Sequence, residues 1–132
     1  MNKRVVWTVC FIVALISVAS VAYRLAAPSH FDSATWRDAD EPSEFLDRRT
    51  MMPDVNDMFD KGTINSKDTA DKLLGHPQRT DEKDENVWFY NLGGQRSPSA
   101  PDSVTWLELS FDRSGKLIRH RTVQELIVPT PQ

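Results

Sequence analysis

Residues 103 to 126 read SVTWLELSFDRSGKLIRHRTVQEL, and this stretch restricts the fold more than any other. In SVTWLELSF (103–111), Leu107, Leu109 and Phe111 alternate with Trp106, Glu108 and Ser110, the period-two pattern of a strand with one buried face. DRSG follows as a turn with Gly115 placed for positive φ, and KLIRHRTVQEL (116–126) returns as the next strand. Upstream, NVWFYNL (86–92) is rich in aromatic and branched residues and reads as a further strand. GGQRSPSAPD between them reads as a ten-residue loop. Together these segments predict a three-stranded antiparallel meander whose apolar face needs a cover.

Helices supply that cover. In TINSKDTADKLLGHPQ (63–78), Ser66 is placed to cap, Asp68 meets the positive end of the helix dipole, and Ala70, Leu73 and Leu74 form one face. Gly75 ends the helix and Pro77 prevents its continuation. Two turns cannot persist alone in water, since isolated helices below about 12–15 residues are marginal, so this one must lie on the sheet. TMMPDVNDMFDKG (50–62) predicts a second helix with Pro53 in its first turn, Asp54 and Asp57 near its N-terminus, Val55, Met58 and Phe59 on one face, and Gly62 as its stop. The expected fold class is α+β, two short helices packed on a three-stranded antiparallel β-meander.

The N-terminus speaks to location. After MNKR, residues Val5 to Tyr23 run for nineteen positions without a charge. At 1.5 Å per residue they reach about 28 Å, close to a hydrocarbon core of about 30 Å. Lys3 and Arg4 precede the run and Arg24 alone follows closely, which orients the N-terminus to the cytoplasm and the rest outside. Either an uncleaved anchor or a cleaved signal fits, with VAS (18–20) or SVA (20–22) as the small-residue cleavage site. The chain thus divides into an N-terminal hydrophobic (transmembrane or signal) helix over 1–24, a linker with a short helical turn over 25–46, a domain over 47–126 and a tail over 127–132. In the linker, Ser33 is a candidate cap for a turn carrying Trp36. Phe31 and Trp36 either fold back on the domain or form an exposed docking stripe.

The order W…RRTMM…DV…G…LLGHP…WFYNLGG…TWLELSFDRSGKLI resembles the SmpA/OmlA, or BamE-like, group of bacterial envelope proteins over about residues 46–123. LLGHP, the YNLG strand and WLELSFDRSGKLI are its most specific parts. The resemblance implies two helices against a three-stranded sheet, no catalytic residues, and a role as an assembly accessory in the envelope with β-barrel assembly components among its partners. This chain departs from the lipoprotein members. Cys10 is its only cysteine, Val9 stands where a small residue belongs, and the apolar run lies mostly after the cysteine. The expected location is therefore the inner membrane with the domain in the periplasm, or the periplasm itself if the signal is cleaved.

Residues after the first thirty carry 13 basic and 19 acidic side chains, a net of −6, which argues against a nucleic-acid surface. His30, His76 and His120 lie far apart with no H-x-x-x-H pair, and a lone cysteine makes neither an intramolecular disulfide nor a thiolate cage. DEKDE (81–85) reads as a solvated linker without the spacing or glycine of a calcium loop. No cofactor, metal or catalytic residue is expected, and the chain is read as a non-enzyme. A protein-binding inhibitor or immunity-type module is the alternative to the assembly role. With helices on one face only, Trp106 and Glu108 stand on the other, and Trp106 is the candidate partner anchor. Trp88 joins it if the register allows, and Trp36 contributes if the linker is exposed; a linker folded over the Trp106 face would hide it instead.

Overall fold

In the computed structural model, which describes residues 30–129 and 131, the chain runs α1 (Ser33–Arg37), α2 (Pro42–Asp60), α3 (Lys67–Leu74), β1 (Arg79–Thr80), β2 (Val87–Ser97), β3 (Ala100–Phe111) and β4 (Leu117–Leu126). The class is α+β, with one antiparallel sheet in the order β1-β2-β3-β4. That sheet has four strands where the sequence predicts three. The expected anchor or signal, Val5 to Tyr23, lies outside the described residues, and no described helix is long and apolar enough to cross a membrane.

Locally encoded features form as expected. Ser66 Oγ accepts from Thr69 N (3.2 Å) while Thr69 Oγ1 accepts from Ser66 N (3.1 Å), so α3 opens on a reciprocal capping box. It closes at Gly75 with φ +75°. In the β3–β4 turn, Asp112 Oδ1 accepts from Ser114 N and Lys116 N, both at 2.9 Å, and Gly115 takes φ +85°.

α2 departs from expectation. It starts at Pro42 rather than Pro53, because Glu44 reaches back to accept from Asp40 N (2.7 Å) and Glu41 N (2.9 Å), and Pro42 occupies the first turn. Pro53 therefore sits inside the helix, where a missing N–H costs about 3 kcal/mol. The side chain faces solvent, while Met51, Met52, Val55 and Phe59 pack in the core and offset that cost. Asp54 is consequently mid-helix, and its carboxylate accepts from Phe31 N at 2.8 Å instead of serving the helix terminus.

The packed domain begins earlier than residue 47. Trp36 and Ala39 are core residues, so the segment expected as linker is part of the fold. α1 is capped by Asp32, which accepts from Thr35 N (3.0 Å), and not by Ser33, whose hydroxyl donates to Leu73 O at 2.7 Å and ties α1 to α3. Arg48 completes the junction from α2. Its guanidinium is fully buried and donates from Nε (2.9 Å) and Nη2 (2.7 Å) to Trp36 O, and from Nη1 to Gln78 Oε1 (2.8 Å) and Asn91 O (3.2 Å). Burial pushes its pKa down to about 10, so it stays charged at neutral pH. Tyr90, whose hydroxyl donates to Gly75 O (2.9 Å), has its pKa raised by the same burial.

The expected ten-residue loop is mostly strand. Ser97 pairs with Ala100 across a turn at Pro98–Ser99, and register shifts between Asn91 and Gly94 and between Gln95 and Ser97 absorb the irregularity. β1 arises within the segment read as polar connection: Arg79 pairs with Phe89 and Thr80 with Trp88.

Candidate functional site

Strand parity decides which residues share the helix-free face. Trp88 pairs with Leu109 and Tyr90 with Leu107, which places Trp88 on the helix side with the core. There it meets Phe111 edge-on at 4.9 Å, and Lys67 Nζ lies 5.7 Å from its ring. The expectation that Trp88 joins Trp106 is corrected by this register. Phe89, paired with Glu108, takes the place beside Trp106, at 6.3 Å between ring centroids and near-perpendicular.

Trp36 is also withdrawn from any partner surface. It is fully buried on the helix side, 6.0 Å from Phe31, 6.5 Å from Tyr90 and beneath the Arg48 guanidinium at 5.4 Å. The lead-in folds back, but over the face opposite Trp106. Trp106 stays uncovered by any described helix.

The face around Trp106 is built from strand residues alone. Arg79, brought in by β1, stacks over Phe89 at 4.4 Å and over Trp106 at 4.6 Å, and its Nη1 meets Glu125 Oε2 at 2.8 Å. One guanidinium is thus shared by two rings and a carboxylate. The Trp106 indole N–H is buried without a partner. Alongside runs an open groove of about 320 Å³ between Arg79, Val104, Trp106 and the segment Leu126 to Val128. Ile127 and Val128 are exposed there, and Ile127 N donates to Asp102 O at 2.8 Å.

Next along β3, Glu108 is only 5% exposed although no described helix covers it. Arg121 grips it with two parallel bonds, Nε to Oε1 and Nη2 to Oε2, both 2.9 Å, and Arg119 Nη2 adds a third to Oε1 at 3.1 Å. Hydrogen bonding to that carboxylate holds the Arg121 pKa above its ordinary value. Two guanidiniums share one carboxylate, so this end of the face keeps a surplus positive charge on an otherwise acidic chain. Glu108 itself is occupied from three directions and serves as the clamp that lays the arginines over the sheet. His120, of opposite parity, stacks on Phe59 at 4.2 Å on the helix side, as alternation predicts.

The sequence reading placed Trp106 and Glu108 on this face and gave no sign of Phe89 or Arg79 there. The signal for Phe89 lay in the register, which a two-residue turn at 98–99 would have supplied; Arg79 carried none. The remaining histidines stand apart, His30 at 3.6 Å from Asp54 and the exposed His76 at 2.8 Å from Asp71. Among the described residues no three His, Cys, Asp or Glu side chains gather where a metal ion could be held. What this face offers is an aromatic–guanidinium platform suited to adhesion. No family model, curated protein or solved structure matches the chain.

Proposed function

We propose that this is a non-enzymatic protein of the bacterial cell envelope, held at the membrane through Val5 to Tyr23, which works by binding other envelope proteins on the Trp106 face. The observation that carries the reading is the arrangement of Phe89, Trp106 and Arg79 on a sheet face that no described helix covers. Aromatic and arginine side chains dominate binding energy at protein interfaces, and here they are pre-positioned by strand pairing and by Glu108 and Glu125, so little side-chain freedom is lost on docking. The resemblance to SmpA/OmlA proteins supports an assembly accessory as the role and β-barrel assembly components as the partners. Capture of the tagged full chain from detergent-solubilised membranes, with co-purifying proteins identified, tests this. Recovery of barrel-assembly components is expected. Stoichiometric recovery of one soluble enzyme would replace the assembly role with that of an inhibitor.

A further inference from the structure

β4 forms one edge of the sheet, and among the described residues most of its outer side has no neighbour. Its inner side pairs with β3 in an unbroken ladder from Leu126 back to Arg119. On the outer side the described chain reaches only the first residues, through Leu117 N donating to Asn65 O (2.8 Å) and the Ser66–Lys116 bridge. From Ile118 to Leu126 no described segment takes up the outward backbone groups. Proteins ordinarily blunt such an edge with proline, charged side chains or a bulge. Residues 117–128 contain no proline or lysine, the one register shift leaves Ile118 as an extra residue at the very start of the free stretch, and the charges that remain, Arg119, Arg121 and Glu125, are of both signs. Large apolar side chains stand exposed at both ends of the free stretch, Ile118 at 64% and Leu126 at 59%.

The sequence of this edge is complementary to itself when reversed. Turned antiparallel about Thr122, Ile118 lies opposite Leu126, Arg119 opposite Glu125, His120 opposite Gln124, Arg121 opposite Val123, and Thr122 opposite its own copy. Apolar meets apolar at the ends, cation meets anion one step inside, and the midpoint of the free stretch is the symmetry point. A register centred on Val123 keeps one charge pair, Arg121 with Glu125, but sets Arg119 against Ile127 and His120 against Leu126. Directly opposed pairs on one face are the unit of sheet stabilisation, so the Thr122 register is favoured.

We propose that β4 is a self-docking edge: two copies of this chain pair antiparallel through residues 118–126 with the two-fold axis at Thr122. The result is a continuous eight-stranded sheet with an isologous interface. Odd residues meet odd and even meet even, so the two Trp106 faces join into one surface and the helices of both copies lie on the other side. We draw this from the edge alone and not from what the Trp106 face binds, although Arg119 and Glu125, which also meet Glu108 and Arg79, lie on that face.

The test uses the full chain in its membrane, with Cys10→Ser removing the native thiol. Thr122→Cys in that background should form a cross-linked dimer under mild oxidation, since directly opposite strand residues approach within disulfide reach. Ser114→Cys in the exposed β3–β4 turn should not. Arg119→Glu and Glu125→Arg, each added alone to Thr122→Cys, place like charges opposite and should cut the cross-linked fraction roughly fivefold or more. Co-expressing these two variants under different tags should restore it as a mixed dimer, which loss of folding could not do. Thr122→Cys cross-linking no better than Ser114→Cys overturns the proposal. So do charge variants that cross-link like the parent, a mixture that fails to recover, or a cross-link to a different protein.

Discussion

Arg48 is the residue whose replacement discriminates best between a fold held by apolar packing and one locked by a buried polar junction. Its guanidinium carries a full charge in the interior, and its four hydrogen bonds all go to neutral oxygens: Trp36 O twice, Gln78 Oε1 and Asn91 O. Arg48→Met keeps the length of the stem and removes the fork. Three acceptors then lose a donor, at about 1–2 kcal/mol each, with the Gln78 side chain, which can turn to water, at the low end. Against this, the substitution relieves the desolvation of the charge, but the four hydrogen bonds offset most of that penalty in the native protein, so only a small remainder is recovered. The net expectation is a loss of about 2–4 kcal/mol, a large part of the stability of a small domain. Urea unfolding of the full chain in mild detergent, followed by tryptophan emission, measures it through the midpoint at unchanged slope. Trp36 emission should also shift red in the native baseline as the lead-in loosens. A loss below about 1 kcal/mol would refute the reasoning, because desolvation and hydrogen bonding would then cancel and Arg48 would be replaceable by any apolar side chain.

Other expectations follow from the same structure. Leu74→Ala should cost about 2–5 kcal/mol in the same unfolding assay, since α3 buries this side chain completely. Gly75→Ala should cost about 1–3 kcal/mol, because the backbone sits at φ +75°, ψ −169°, a region almost reserved for glycine, and a Cβ would meet Arg37 Cγ at 2.9 Å. Gly62→Ala, at φ +72° with open space around it, should cost only about 1 kcal/mol, and equal losses at the two sites would contradict this account. Hydrogen bonds from Thr35, Glu41 and Ser114 respectively hold the carboxyls of Asp32, Glu44 and Asp112 below their ordinary pKa values. The unfolded chain therefore binds more protons than the folded one just below the unfolded pKa values near 4, so the melting temperature should be flat above about pH 5 and fall as pH drops through that range. A melting temperature unchanged down to pH 3 would exclude this linkage.

Features written in consecutive residues were legible, and features made by distant pairing were not. α3 could be read to the residue because Ser66, Thr69 and Gly75 fix both ends within one short stretch. The parity of β3 and β4 was equally plain, and with it the placement of Trp106 opposite the helix-packed Leu107 and Leu109. α2 was legible only in its second half. Its buried positions 48, 51, 52, 55 and 59 follow helical spacing, but Arg48 occupies one of them and interrupts the apolar pattern, while Pro53 imitates a helix start. β1 is strand only because Phe89 and Trp88 pair with it, and two residues carry no periodicity. The β2–β3 hairpin was hidden by Gly93, Gly94 and Pro98, which mark loops in most chains and here mark a register shift and a tight turn. The error at the turn removed the register, and without it Trp88 and Phe89 could not be told apart as partners of Trp106.

The claim that the Trp106 face is the working surface is tested most directly by comparing Trp106→Ala with Trp88→Ala. Both truncate a partly buried tryptophan beside β3, one on each face of the sheet, and both should lower stability by a comparable amount. Capture of partners from solubilised membranes is then measured for each tagged full chain at a temperature where both are folded. Loss of capture with Trp106→Ala and retention with Trp88→Ala is the predicted result. Capture retained by Trp106→Ala, or lost equally in both, would contradict the account.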